Sequence, residues 1–323
     1  MGLLSIEELN SILACPKCQQ RLNRTDDSYY CTNENCNYYQ TNNFTIVDNY
    51  PVIVDFEQSI LNKKEIISNP GASVILRNTN PLKKRLKKLL FTNATSNISQ
   101  HNAIYFKSLL ETASSNPVVL IIGGASKGRG TQLLYDSQSL QLISFDLYGT
   151  PLTQFIADAH QIPLVDQSID AVWIQYVLEH VLEPKQVVSE IYRVLKKGGI
   201  VYSETPFMQQ VHEGPYDFTR FTESGHRWLF KKFELIDSGV VMGAGTQLMW
   251  TIEHVVRGVF QSVYVGKIVK ILLFWLQYID KIIPQGYTID NACSIYFLGR
   301  KADKELCPRD IVGYYKGASK IVR

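Results

Sequence analysis

Val118-Val119-Leu120-Ile121-Ile122 runs directly into Gly123-Gly124-Ala125-Ser126-Lys127-Gly128-Arg129-Gly130. The first five residues read as an apolar strand, and helical spacing resumes at Thr131, so the stretch spells strand, glycine turn, helix. Glycines allow positive φ and close approach of backbone to a ligand. Such a turn suits a loop wrapped around a nucleotide-like molecule at the carboxyl edge of a doubly wound sheet.

Three further strand-like segments follow in order. Gln141-Leu142-Ile143-Ser144-Phe145 ends at Asp146, about where an acidic residue accepts ribose hydroxyl protons in a doubly wound fold. A third segment ends in Ala157-Asp158-Ala159-His160-Gln161-Ile162-Pro163-Leu164. A fourth, Ile169-Asp170-Ala171-Val172-Trp173-Ile174, runs into Gln175-Tyr176-Val177-Leu178-Glu179-His180. Leu195-Lys196-Lys197-Gly198-Gly199 then leads into a fifth strand, Gly199 to Ser203.

In order and spacing, the acidic-Ala-x-x-Ile-Pro-Leu turn, the Ser168-Ile169-Asp170 entry, the Leu178-Glu179-His180 exit and the Lys-Lys-Gly-Gly turn resemble the class I S-adenosylmethionine-dependent methyltransferases of the type 11 group. The resemblance implies an α/β fold: a Rossmann-like, doubly wound sheet of seven strands in the order 3-2-1-4-5-7-6, the last strand antiparallel. It also implies S-adenosylmethionine as cofactor. Gly123, Gly124 and Gly128 correspond to the loop under the methionine portion, Asp146 to the ribose acceptor, and Asp158 to the side chain beside the adenine amino group. Ala159 supplies a backbone contact, and Gln175 is a further cofactor-side position. Two positions depart from the family pattern: Ile121 stands where an acidic residue is usual, and Ala125 where a glycine is common.

Four of the six cysteines lie near the start, Cys15-Pro16-Lys17-Cys18 followed by Cys31 and Cys36. Two thiolate pairs on two short turns make a closed tetrahedral set, as a structural Zn2+ site requires, with no open position for catalysis. The surrounding Leu13 to Cys18 and Phe44 to Ile53 resemble the small zinc ribbon of the Trm112-like group. A ribbon of about fifty residues has too little core to be stable alone, and metal binding would fold it. Cys293 reads as a small core residue.

The chain of 323 residues is long enough for a zinc-ribbon domain over 1–58, a basic linker over 59–97, a methyltransferase domain over 98–303 and a tail over 304–323. Its net charge of +3 announces neither a nucleic-acid nor a membrane partner. The first residues lack a basic start, a long apolar core and a small-residue cleavage site, which predicts a cytoplasmic protein. In the linker, Leu82 to Leu90 predicts an amphipathic helix carrying Lys83, Lys84, Arg85, Lys87 and Lys88. Ile104, Phe106, Leu109 and Leu110 suit a helix before the first strand.

After the fifth strand, the loop Glu204 to Thr222 is rich in polar and aromatic groups and should lie over the transferred methyl. Its segment Pro215-Tyr216-Asp217-Phe218-Thr219-Arg220-Phe221-Thr222 resembles a loop of bacterial type 11 methyltransferases. Glu213, Tyr216 and Arg220 are the acceptor-side candidates. His212 is the expected base, with Asp217 as its orienting partner or substitute. His180 is a third candidate on the catalytic side, whose plainer role is to brace the crevice.

No Asn/Asp-Pro-Pro-aromatic clamp follows the fourth strand, which disfavours exocyclic base amines as acceptors. No cysteine follows the fourth or fifth strand, so a covalent route to cytosine C5 has no nucleophile. The acceptor is therefore expected to be a hydroxyl of a small molecule, a saccharide or a lipid-linked intermediate. An RNA methyltransferase is the competing reading, as is a non-catalytic RNA- or protein-binding module on a vestigial sheet.

Phe221 to Phe233 reads as a helix, Phe233 to Asp237 as strand six and Cys293 to Leu298 as strand seven. Between the last two lies a helical insertion over 246–288, with Ile268, Ile271, Leu272, Trp275, Ile279, Ile282 and Ile283 on one stripe. Its longest charge-free runs, Gly258 to Gly266 and Ile271 to Ile279, fall short of the roughly 18–20 residues that span a bilayer. The insertion is thus expected to cap the acceptor pocket or to form a homodimer surface, with interfacial membrane contact as the alternative.

Overall fold

The computed structural model describes residues 2–41, 44–72 and 96–319; the amphipathic helix expected over Leu82 to Leu90 lies outside them. Strands β1 (Leu22–Arg24), β2 (Ser28–Cys31), β3 (Phe44–Val47) and β4 (Tyr50–Pro51) form a small antiparallel sheet. The large sheet comprises β5 (Val118–Ile122), β6 (Gln141–Asp146), β7 (Phe155–Ile156), β8 (Ile169–Gln175), β9 (Leu195–Pro206), β10 (Phe233–Met242) and β11 (Ser294–Lys301). Their order is β10-β11-β9-β8-β5-β6-β7, which is the expected 3-2-1-4-5-7-6 read from the other edge. β5 through β9 pair in parallel, while β11 runs antiparallel to both β9 and β10.

The central strands are buried almost throughout, because helices cover both faces of a parallel sheet. On one face, Phe106 and Leu110 of the helix Ser96–Ala113 pack with Trp173 and Tyr202, whose rings stack at 4.0 Å. This is the helix expected before the first strand; Ile104 lies on its outward side. On the other face, Val187, Ile191 and Val194 of the helix Pro184–Val194 occupy one stripe at helical spacing. Asp170 secures the entry of β8: its Oδ2 accepts the Val118 N–H at 2.9 Å and pairs with Lys196 at the same distance.

The small sheet is built into this second face. Leu9, Leu13, Tyr29 and Phe44 share one core with Ile143, Phe155 and Leu164. Backbone bonds cross the junction: Ala14 N–H donates to the Pro163 carbonyl, Val165 N–H to that of Ile12, and Ile53 N–H to that of Ile156, each at 2.9 Å.

Several elements differ from expectation in length. β9 extends to Pro206 because β11 pairs with it from Ile200 through Pro206. β10 likewise runs on to Met242 against β11. The helix expected over Phe221 to Phe233 is only Glu223–Leu229, since the Thr222 side chain caps it through the Gly225 N–H. The insertion is helical, with Ala244–Val259, Val263–Leu272 and the tighter turn Phe274–Lys281, but the expected single stripe is broken at Leu273. Leu276 and Gln277 turn inward instead, and Ile268, Leu272, Trp275 and Ile282 face out. Asp280 fastens this unit by accepting the Gly243 and Gly245 N–H groups and the Thr246 hydroxyl.

Candidate active site

The turn leaving β5 is shaped by close approach. Gly123 adopts φ +77°, and its N–H and that of Gly124 both donate to the Phe145 carbonyl. A Cβ on Gly123 would sit 2.4 Å from Val177 Cγ2, one on Gly124 1.9 Å from Ser144 Oγ, and one on Gly128 2.0 Å from Gln175 Oε1. Gly124 is therefore a packing position against β6, whereas Gly123 and Gly128 face the cavity beyond the turn.

At the end of β6, Asp146 holds its carboxylate in place with two backbone amides. Ala125 N–H donates to Oδ2 at 3.0 Å and Leu147 N–H to Oδ1 at 2.7 Å. Asp158, after β7, accepts from the His160 N–H and the Ser59 hydroxyl, and its Oδ1 lies 2.6 Å from His160 Nδ1. His160 Nε2 accepts the Glu183 N–H, so the ring proton sits on Nδ1 and faces Asp158. Burial works against the Asp158 charge, but the His160 ring and Ser59 hold the carboxyl below the usual carboxylate range. Ser59, and Ile60 beside it on the cavity wall, come from the linker region and were not anticipated from sequence.

One cavity of about 560 Å³ joins these groups to the opposite end of the site, a size typical of small-molecule pockets. Gly123, Gly128, Asp146, Asp158, Ala159 and Gln175 line it, as do His180 and His212. Met249, Trp250, Lys270 and Gln277 of the helical insertion close it from above. Lys270 lies 4.1 Å over the Trp250 ring and pairs with Glu253 at 2.9 Å, joining the helices Ala244–Val259 and Val263–Leu272.

At the far end, the loop after β9 is organised around Asp217. Arg220 grips both of its carboxylate oxygens and also donates to the Gln209, Gln210 and Thr219 carbonyls. Arg220 thus braces the loop. Burial opposes the Asp217 charge, yet Arg220 and the His212 N–H hold its carboxyl down at about 2. Asp217 Oδ2 lies 3.3 Å from His212 Nδ1, which turns His212 Nε2 inward. Tyr216 contributes its carbonyl, 2.6 Å from His180 Nδ1. Glu213, half-exposed, is not among the residues lining the cavity.

Behind the two imidazoles sits Glu179, which sequence reasoning noted only as part of a motif. Its side chain is fully buried, and neither carboxylate oxygen accepts a well-formed hydrogen bond. Oε1 lies 3.7 Å from His180 Nε2 and 4.0 Å from His212 Nε2. Burial pushes the carboxyl up to about 8, and Asp217 and Glu213 add to the shift against the pull of Arg220. Burial also pulls His180 below its ordinary value.

The four N-terminal cysteines converge elsewhere. Cys15 and Cys36 Sγ are 3.8 Å apart, Cys18 and Cys31 Sγ 3.4 Å, and all four lie within 4.8 Å of one another. Tetrahedral coordination at Zn–S distances of about 2.3 Å places sulfurs roughly 3.8 Å apart, so this donor set fits a zinc ion. Burial pushes the Cys31 thiol up to about 11, so deprotonation there calls for a cation.

Comparison with known proteins was informative for the central sheet. Residues 124–203 match a family model described as a methyltransferase domain. The demethylmenaquinone methyltransferase of Clavibacter sepedonicus is 44% identical over 75 residues, covering 22% of this chain and 30% of that protein. The chain thus spans under a third of the curated relative it matches. Among solved structures, a chain of the Haloferax volcanii complex holding the Trm112 methyltransferase activator is 15% identical, with a TM-score of 0.43 over 69% of this chain and 95% of that one. Haemonchus contortus phosphoethanolamine N-methyltransferase 2 is 17% identical, with a TM-score of 0.38 over 63% of this chain and 53% of that one.

Proposed function

This chain carries a methyltransferase domain of the type 11 group, and on that premise we propose that it transfers a methyl group from S-adenosylmethionine to an acceptor hydroxyl. The observation that supports this most is the single cavity: the glycine turn, Asp146 and Asp158 line one end, and His180 and His212 the other. When bound, S-adenosylmethionine supplies a methyl already activated on a sulfonium.

The chain's own residues would then bind, align and exclude water. Asp146 takes the ribose hydroxyls, and the glycine turn with Gln175 takes the amino-acid portion. Asp158 and the Ala159 backbone take the base. Met249 and Trp250 shield the acceptor from solvent. The acceptor hydroxyl must lose its proton as the new bond forms, and His212 is the group we assign to that end. Asp217 beside Nδ1 favours the neutral tautomer that leaves a lone pair on Nε2. The four cysteines would hold a structural zinc ion.

Among acceptor classes, a lipid-linked hydroxyl is the one we favour. The insertion that roofs the cavity exposes Val259, Phe260, Tyr264, Leu272 and Trp275 on its outside.

Calorimetry of the zinc-loaded protein with S-adenosylmethionine tests the reading. Binding is expected, and Asp146→Ala should weaken it by about tenfold or more, the loss of charge-assisted hydrogen bonds worth about 1.5–3 kcal/mol. Absence of binding by the parent protein, or an unchanged affinity in Asp146→Ala, would sink the enzyme reading.

A further inference from the structure

We propose that Glu179, His180 and His212 form a binding site for a divalent cation of the Mn2+/Fe2+/Co2+ class at the acceptor end of the cavity. The inference rests on the methyltransferase reading and replaces direct proton capture by His212 with capture through the cation. Three observations carry it.

The first is the donor set itself. One carboxylate oxygen and two imidazole nitrogens lie within 4.8 Å of one another, with Glu179 Oε1 3.7 Å and 4.0 Å from the two Nε2 atoms. Metal–ligand bonds of about 2.0–2.2 Å put neighbouring donors roughly 3.0–3.6 Å apart. The cluster therefore needs only a small contraction to close on an ion. Two imidazoles and one carboxylate with open positions form the donor set that suits first-row divalent cations.

The second is the state of Glu179. A fully buried carboxylate without a good hydrogen bond to either oxygen is an orphan that folded proteins rarely tolerate. Both imidazoles are turned toward it. Arg220, whose charge acts on Glu179, already grips both oxygens of Asp217.

The third is how the rings are held. Metal-bound histidines usually donate the other ring N–H to a carbonyl or carboxylate, which fixes the tautomer and orientation. His180 Nδ1 lies 2.6 Å from the Tyr216 carbonyl oxygen, and His212 Nδ1 lies 3.3 Å from the Asp217 carboxylate. Both residues thus present Nε2 to the same point, and both partners come from the one loop. Three protein ligands leave coordination positions free on the cavity side, where His180 and His212 form part of the wall.

An acceptor hydroxyl bound at such a position would be more acidic and would lose its proton more readily, to water at the exposed edge of His212 on the side away from Met249 and Trp250. Its oxygen lone pair would form the bond to the methyl carbon as the carbon–sulfur bond breaks. The products would be the methyl ether, S-adenosylhomocysteine and the released proton.

Manganese binding to the zinc-loaded full chain is the test, followed by the loss of the free Mn2+ electron paramagnetic resonance signal. One equivalent of Mn2+ should bind. Glu179→Gln, which keeps the shape of the side chain, and His212→Ala should each weaken binding by at least about 100-fold, and Asp217→Asn by about 10–100-fold. Asp146→Ala should leave Mn2+ affinity unchanged. Circular dichroism on every variant, and S-adenosylmethionine calorimetry on those at Glu179, His212 and Asp217, report whether each has folded. No stoichiometric Mn2+ in the parent protein, or undiminished binding in folded Glu179→Gln, would overturn the proposal and leave Glu179 as a buried protonated acid. Cofactor binding without Mn2+ binding removes the cation site alone, whereas loss of cofactor binding in the parent removes the methyltransferase reading.

Discussion

His226 shows how burial alone sets the chemistry of a residue. It lies beneath the loop after β9, ringed by Phe221, Phe230 and Phe297, and its Nε2 is 3.0 Å from Ser203 Oγ. Burial pulls the imidazole down to about 3, so it stays neutral in the folded protein. In the unfolded chain it takes up a proton near 6.5. Between those values the unfolded state binds more protons, so stability rises with pH through that window and is lost as pH falls from about 6.5 toward 3. At about 1.4 kcal/mol per tenfold change in proton affinity, the contribution reaches a few kcal/mol. Denaturant titrations at pH 7 and pH 4.5 should show His226→Gln losing less stability on acidification than the parent; equal losses would refute this. His226 carried no signal in the sequence, because a lone histidine on an apolar helix can be read either way. The placement of Gly123, Gly128 and Asp146 in turns leaving their strands was legible, since local backbone demands tie each to its turn. The proximity of Glu179 to His212 was not, because a long stretch of chain separates them and no periodicity connects strand exit to loop.

At the level of elements, the strands of the large sheet were readable from its apolar runs and turns and their order from the family resemblance, but the attachment of the small sheet was not. A zinc ribbon looks self-contained in sequence, yet Leu9, Leu13, Tyr29 and Phe44 share their core with Phe155 and Leu164. The backbone links Ala14 to Pro163 and Ile53 to Ile156 join the units further. A structural zinc ion is worth on the order of 10 kcal/mol to a small domain, and if the four cysteines hold one, this shared core would carry that stabilisation to the sheet. Stripping the metal with a strong chelator should therefore lower the melting temperature of the whole chain in one transition, as should Cys15→Ser. Calorimetry showing a separate low-temperature transition for the ribbon, with the main one unmoved, would mean that the two fold independently. The insertion illustrates the opposite error. A 3.6-residue period extended through Leu273 puts its apolar residues on one stripe, but the chain tightens there and the period fails.

For the whole molecule, that broken period leaves an apolar exterior to be accounted for. Val259, Tyr264 and Leu272 are 73%, 79% and 67% exposed, and Phe260 and Trp275 more than half. Between His254 and Ile279 the charged residues are Arg257, Lys267 and Lys270, of which Lys270 turns to the cavity and pairs with Glu253, leaving Arg257 and Lys267. No helix among the described residues is long and apolar enough to cross a membrane. Exposed aromatic and aliphatic groups with a basic complement instead match a surface that settles into the headgroup region of an anionic bilayer. Such a surface would bring the mouth of the cavity to a lipid-linked acceptor. Burying Phe260 and Trp275 would contribute about 1.5–3 kcal/mol each. The protein should therefore co-sediment with phosphatidylglycerol vesicles more than with phosphatidylcholine vesicles, and less as salt rises. The pair Phe260→Ser and Trp275→Ser should reduce vesicle binding by at least about tenfold with S-adenosylmethionine affinity unchanged. Failure to sediment, or a dimer in ultracentrifugation that the same pair of substitutions dissociates, would assign this face to a second copy of the chain and remove the support for a lipid-linked acceptor.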